Sequence, residues 1–346
     1  MRKMISVLLI ASLFCSLCVL SGCGLTDALS NKVPTTYQDA DKYTAGNAEF
    51  EGTVDTFYVW WLYGSVTIKS HKESTVKIEE SANKDLDNTL QLHWRYHNVS
   101  DYGNVLYIHY SASGDFDYGD LQKDITVYLP ENDAMHISLD IQAASVDVDL
   151  STFENTLEKI SVCNHSGKVS VKVDNAEEVR ISGQNEDDVP ESQREFFFRA
   201  NGRVDDLGIS ASYAKVDAAA KTVHKGDVGT VFADLVFAAD EAKDLKLSNS
   251  RNKIYATVLD FDSLDIETRD DLCELTISPD ASFTLTLKEE NRFRQKMSPK
   301  NVSVGFEDVI QSGKQYTLGT GESKITVATD SDLTVLPQAQ GEETLP

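Results

Sequence analysis

Apolar and polar residues alternate one by one along most of this chain, in short runs such as Val66-Thr67-Ile68, Val76-Lys77-Ile78, Leu90-Gln91-Leu92, Val105-Leu106-Tyr107-Ile108 and Ile125-Thr126-Val127-Tyr128-Leu129. Alternation over roughly four to eight positions is the period of a strand with one buried face, and the Gly, Asn, Asp and Ser residues between the runs are turn formers. Helical spacing is scarce, so the expectation is an all-β protein. Pro130 closes the run before it, because proline has no amide to give to a ladder.

Beyond Pro130 the runs recur. Leu139-Asp140-Ile141 is followed by Ser145 and Val148, and Ile160-Ser161-Val162 is followed at the same offsets by Ser166 and Val169. Val179-Arg180-Ile181 lies 19 residues beyond Ile160, and Leu245-Lys246-Leu247, Leu264-Asp265-Ile266 and Phe283-Thr284-Leu285 are also 19 apart. A period of about 20 residues is what a β-solenoid requires, since each coil buries its inward side chains only against the coils above and below it. A polar insertion over 183–194 interrupts the period, and Leu207 to Asp240 follows it only loosely. The expected architecture is a strand-rich N-terminal part, 47–130, running into β-solenoid repeats over 131–336. A β-sandwich of regularly spaced hairpins is the alternative.

The start of the chain has a different character: Arg2 and Lys3 precede an apolar run from Met4 to Leu20, which ends in Leu20-Ser21-Gly22-Cys23. A basic start, a short apolar stretch and a small-residue site make a secretory signal over residues 1–22 and not a membrane span. The site resembles the lipobox of bacterial lipoproteins, which implies that Cys23 becomes the N-terminus and carries a diacylglyceryl thioether. At about 0.8 kcal/mol per buried CH₂, two or three acyl chains hold a domain firmly where one would not. The implied location is the cell membrane, lipid-anchored, on the extracytoplasmic face. The polar segment 23–46 is expected to be a flexible tether, and 337–346 a disordered tail.

Composition narrows the partners. The 346 residues include 56 acidic and 32 basic side chains, and losing Arg2 and Lys3 with the signal leaves 56 against 30, a balance of −26. Nucleic acid is excluded as a ligand, since binding it takes a basic surface that displaces counterions. Cationic peptides, basic envelope proteins or divalent cations would be attracted, and the same charge also keeps a surface protein soluble. Of 5 cysteines, Cys15 and Cys18 leave with the signal and Cys23 carries lipid, so Cys163 and Cys273 remain and no disulfide framework is present. These are 110 residues apart in sequence. That is about five or six coils, or ~25 Å along a stack with ~4.8 Å between layers, so they are expected to stay unpaired.

Several segments taken in order, Trp60-Trp61-Leu62-Tyr63-Gly64-Ser65-Val66-Thr67-Ile68, Lys77 to Ser81, Leu106 to Tyr110, Lys123 to Pro130 and Ser166-Gly167-Lys168-Val169-Ser170-Val171, are similar to domain-of-unknown-function family 4097, the "putative adhesin" family. The resemblance spans roughly residues 50 to 335. It implies a strand-rich part ending in Leu-Pro, then stacked coils with a Ser-Gly-x-Val-x-Val turn. Only Ser166-Gly167 keeps that glycine, while Ser145-Val146 and Arg251-Asn252 replace it. If the turn needs a positive φ there, Val146 would be strained.

The chemistry-bearing residues point away from catalysis. His93 and His97 alternate with Leu92, Trp94 and Tyr96, and four positions along a strand are ~13 Å apart, too far for one metal ion. Asp115, Asp117 and Asp120, and Asp262, Asp265, Asp270 and Asp271, lack the spacing of an EF-hand or a calcium-binding β-roll and are expected to be solvated turn carboxylates. His165-Ser166-Gly167 lacks a hydrolase elbow, and activation of Cys163 by His165 depends on placement in space. No metal, cofactor or catalytic residue is assigned. Phe57, Tyr58, Trp60, Trp61 and Tyr63 lie together, and on a strand Trp60 and Trp61 face opposite ways. They either cap the stack or present aromatic ligand contacts, with Trp60 and Trp61 the candidates. The functional expectation is a lipid-anchored extracytoplasmic β-solenoid binding protein, adhesin-like or envelope-associated and non-catalytic. A structural scaffold lipoprotein is the second reading, and a polysaccharide-acting enzyme the third.

Overall fold

The computed structural model describes residues 40–112, 118–131, 135–153, 155–184, 194–291 and 295–339. Among them are one 3-10 turn and no α-helix; the rest of the regular structure is strand. In chain order the strands are β1 (Thr44–Ala45), β2 (Ala48–Glu51), β3 (Thr56–His71), β4 (Thr75–Ala82), β5 (His93–Val99), β6 (Gly103–His109), β7 (Lys123–Pro130), β8 (His136–Leu150), β9 (Leu157–Asn164), β10 (Val169–Val173), β11 (Ala176–Gln184), β12 (Glu195–Ser212), β13 (Lys215–Val231), β14 (Leu235–Ser250), β15 (Ile254–Arg269), β16 (Cys273–Ile277), β17 (Phe283–Leu287), β18 (Val302–Val304), β19 (Ile310–Ser312), β20 (Gln315–Leu318), β21 (Ser323–Thr329) and β22 (Leu333–Pro337).

From β3 to β16, β4 and β5 apart, the strands pair in parallel, layer upon layer, and the long strands bend midway so that each layer contributes to two walls. The front wall holds the first halves of β3 and β8, then β9, β11 and the second halves of β12 to β15. The back wall holds the second halves of β3 and β8, then β10, the first halves of β12 to β15, and β16. Hairpin pairing, which a β-sandwich requires throughout, is confined to the two ends, where β1, β2, β4 and β5 meet β6 and β7, and where β19 and β20 meet β17. Because β3 pairs along its length with β8, the stack begins well upstream of residue 131.

Inward side chains fill the space between the walls as one core. On the front wall Leu139, Val162, Ile181, Ile209, Val228, Leu247 and Ile266 face one another across successive strands, all buried. On the back wall the corresponding row runs Phe198, Ala218, Phe237, Ala256, so large and small residues alternate to keep the interior at constant volume. The four layers from β13 to β16 are regular at 19 residues: Val216 pairs with Leu235, Leu235 with Ile254, and Ile254 with Cys273. The segment Leu207 to Asp240, which follows the sequence period only loosely, is thus among the most regular, its signal masked by Ala218, Ala219, Ala220 and Gly226.

The front-to-back turns carry their own repeat. Tyr213, Phe232, Arg251 and Asp270 have φ of 57°, 67°, 81° and 71°, once per layer. Left-handed backbone costs about 1–3 kcal/mol at each such residue, and stacking of their side chains along the axis offsets part of it. The Tyr213 and Phe232 rings lie 4.6 Å apart at 8°, and the Arg251 guanidinium sits 4.7 Å from the Phe232 centroid. Just before these turns Thr230 and Asn249 point inward and donate to the carbonyls of Ala214 and Ala233, at 2.9 Å in each case. Val146 is not strained: it lies within β8, buried opposite Val169, and has no positive φ.

Three sequence expectations are corrected. Leu139 pairs with Val162 and Ile137 with Ile160, so β8 and β9 are offset by 23 residues and not by the 21 that aligns Leu139 with Ile160. Leu264 and Phe283, although 19 apart, are not neighbours, because β21 lies between β15 and β17, with Ile325 flanked by Leu264 and Leu285. β22 likewise lies between β16 and β18, with Leu333 flanked by Cys273 and Val302. The C-terminal strands therefore fill an interior layer, and Pro337, expected to open a disordered tail, ends β22 opposite Ile277. The insertion lengthens the step from β11 to β12, where Ala176 pairs with Val204; its middle, 185–193, is outside the described residues. So are residues 1–39, with the signal and Cys23, and 340–346. Thr44–Ala45, at the end of the expected tether, pairs with β5.

Candidate functional site

The N-terminal end of the stack is organised by one buried cation. Lys123 is 0% exposed, and its Nζ donates to Glu80 Oε1 at 2.6 Å, to the Leu90 carbonyl at 2.8 Å and to the Tyr110 carbonyl. It also lies 5.1 Å from the Trp61 ring centroid and 4.2 Å from that of Tyr110. Burial pulls its ammonium down to about 8 from the usual 10.5, against the opposing pull of Glu80. The Trp61 indole N–H donates to the Lys123 carbonyl at 3.0 Å. Gly64 faces the same carbonyl with φ +106°, and a Cβ there would sit 2.0 Å from the oxygen. Trp61 is consequently core, 0% exposed, and is withdrawn as a ligand contact.

Trp60 points the other way, as strand parity requires, onto the outer face of the front wall. Register assembles that face from distant segments. Trp60 lies between His109 of β6 and Asp140 of β8, and Asp140 lies opposite Cys163 of β9. One row over, Tyr58 lies between Tyr107 and Ser138, and Arg95 pairs with Tyr107. The Tyr58 and Tyr107 rings stack at 5.1 Å and 16°, His97 stacks on Tyr107 at 5.7 Å, and His136 approaches Tyr58 at 6.2 Å. Trp60 meets His109 edge-on at 5.9 Å, and His109 Nε2 is 3.2 Å from the Tyr43 hydroxyl.

The electrostatics follow from this packing. Burial, seconded by the charge of His93, takes His109 down to about 4, and burial also lowers His93 and His136. Tyr58 is raised by burial and by Tyr107. At neutral pH the His93, His109 and His136 imidazoles and the Tyr58 phenol are uncharged, so the face offers neutral rings with hydrogen-bonding edges. His93 and His97 lie on β5, as their alternation predicts.

Sequence reasoning missed the convergence of Asp140, Cys163 and His165, whose ligand atoms lie within 4.8 Å of one another. Only the 23-residue register places Asp140 beside Cys163; the pairing of Cys163 with His165 two residues on was visible. His165 Nε2 is 4.0 Å from Cys163 Sγ and 3.6 Å from Asp140 Oδ1. A nucleophilic relay uses opposite ring nitrogens for thiol and carboxylate, so this is not a relay geometry. Of the acidic clusters, Asp115 and Asp117 are outside the described residues. Asp265 is paired with Lys288 at 3.0 Å, and Asp270 lies in a turn.

No known protein-family profile matches the chain, and no curated protein matches it. Among solved structures, similarity is found to a "putative adhesin" from Parabacteroides merdae ATCC 43184, at 12% identity over 84% of this chain and 96% of that one, TM-score 0.38. A "putative adhesin" from Bacteroides fragilis NCTC 9343 is 8% identical over 84% and 95%, TM-score 0.33. A "putative cell adhesion protein" from Clostridium sporogenes ATCC 15579 is 10% identical over 86% and 100%, TM-score 0.19. Among the described residues no helix is long and apolar enough to cross a membrane.

Proposed function

We propose that this chain is a lipid-anchored, extracytoplasmic β-solenoid that binds a cell-envelope glycan through the outer front face of β3, β6 and β8, without catalysis. The parallel layers and the 19-residue step support the solenoid reading, and Leu20-Ser21-Gly22-Cys23 supports the anchor. The observation that carries the binding role is the stacked Tyr58 and Tyr107 pair beside Trp60, among imidazoles kept neutral by burial. The Trp60 ring supplies a flat surface for the apolar face of a sugar, and the edges of the stacked tyrosines and neutral imidazoles supply donors and acceptors for its hydroxyl rim. Co-sedimentation with purified cell-wall polysaccharide tests it: Tyr58→Ala/Tyr107→Ala should weaken binding at least tenfold, and equal binding by both forms would refute it. Retention by neither form would favour a scaffold lipoprotein. For the anchor, Cys23→Ala should leave the membrane fraction or keep its signal; unchanged mature size and retention would overturn it.

The balance of −26 favours a second class of partner, cationic peptides or basic envelope proteins, held by charge alone. Such binding falls steeply with salt, whereas stacking on the aromatic face does not. An ionic-strength series separates the two.

A further inference from the structure

We infer that Asp140, Cys163 and His165 form an open-coordination site for a transition-metal ion of the zinc(II) class on the front wall, next to Trp60. The argument starts from register. Parallel pairing sets Asp140 directly opposite Cys163, and His165 follows two residues on, where β9 ends. The turn is held from behind: the His165 amide donates to the Ile141 carbonyl at 2.9 Å, and buried Asn164 donates to the Ala144 carbonyl at 3.0 Å. Asn164 also accepts from the Ser166 amide at 2.7 Å. The two ligand-bearing residues of this turn thus flank a fixed, buried side chain, which is the preorganisation a metal site needs.

The distances fit. Tetrahedral zinc with bonds of about 2.0–2.3 Å to nitrogen, oxygen and sulfur separates its ligands by roughly 3.4–3.6 Å. The structure has 3.6 Å from His165 Nε2 to Asp140 Oδ1 and 4.0 Å from Nε2 to Cys163 Sγ. The Asp140 carboxylate and Cys163 Sγ lie within 4.8 Å of each other, so movements of about an ångström or less close the site. The donor set of thiolate, imidazole and carboxylate is the borderline mixture that zinc accepts, and two anionic ligands balance its charge. Cys163 gives up its thiol proton to solvent on binding. Asp140 is 61% and His165 42% exposed, so the fourth position faces water.

The site does not rest on glycan binding, and its test needs no glycan. The full-length chain carrying Cys15→Ser, Cys18→Ser and Cys23→Ser, purified in detergent under reducing conditions, is titrated with cobalt(II) and back-titrated with zinc(II). A thiolate-to-cobalt charge-transfer band should grow to one equivalent and be bleached by zinc. Cys273 is fully buried with its thiol pushed up to about 12, so it does not compete. Cys163→Ser should abolish the band, and Asp140→Asn and His165→Ala should each weaken binding about tenfold or more. Ser161→Ala, on the neighbouring row, should leave it unchanged. Far-ultraviolet circular dichroism confirms that the variants fold. Absence of the band in this reduced parent chain would overturn the site, as would a band insensitive to both Asp140→Asn and His165→Ala.

Discussion

Replacing Lys123 by Met isolates the buried cation that organises the N-terminal end. The substitution keeps most of the side-chain volume but strips Nζ from Glu80, from the Leu90 carbonyl and from the Tyr110 carbonyl. Glu80 keeps the Leu92 amide at 2.9 Å but loses the Lys123 ammonium, its countercharge in the core. An uncompensated buried charge costs about 3–5 kcal/mol. Adding Glu80→Gln removes that charge while its carbonyl still accepts from Leu92, so the double variant should recover at least half of the loss. The pH dependence carries a second signature. The folded pKa, about 8, is below the unfolded value of 10.5, so between the two the unfolded chain binds the proton that the folded chain has released. Stability from this group therefore rises with pH across that window, by about 1–2 kcal/mol between pH 8 and 9.5. Urea unfolding followed by tryptophan fluorescence reads both effects, since Nζ sits over Trp61. A Lys123→Met variant within about 0.5 kcal/mol of wild type, or one that keeps the wild-type alkaline slope, would refute the reasoning.

Two further predictions test the stack itself. Ile325→Asp places a charge between Leu264 and Leu285 and should cost at least 3 kcal/mol on the order of magnitude for an unpaired buried charge, measured by thermal unfolding; tolerance would mean that β21 is an outer edge and not an interior strand. Cys163 and Cys273 are not disulfide-bonded, and six strand pairings separate β9, which carries Cys163, from β16, which carries Cys273, about 29 Å at ~4.8 Å each. Native alkylation should modify Cys163 alone and leave Cys273 until unfolding, and a Cys163 to Cys273 peptide pair in non-reduced mass spectra would show that the stack is wrong.

Side-chain parity was legible in the sequence and register was not, for one physical reason. A period of two fixes which face a residue takes, so the opposed directions of Trp60 and Trp61 and the strand at His93 to His97 follow from alternation alone. The same period leaves a shift of two residues invisible, and β8 to β9 differs by that amount from the apparent repeat. The metal-competent trio depends on that shift, which is why only its Cys163 and His165 members stood out. Alanines hid the regular layers of β13, because a coil that alternates Phe with Ala carries little hydrophobic contrast at every second turn. Nothing local could reveal β21, whose partners on one side lie some sixty residues earlier.

That interior placement of β21 and β22 separates the order of synthesis from the order of assembly. As the chain grows, every layer up to β16 can dock on the one made just before it, and the stack can lengthen as fast as sequence is supplied. At β17 this stops. The residues made next belong on the far side of a gap whose filling, 323–337, does not yet exist, so β17 and β18 have to wait detached or sit provisionally on the wrong neighbour. β21 and β22 then act as a keystone, and the stack closes only when residue 337 has been delivered.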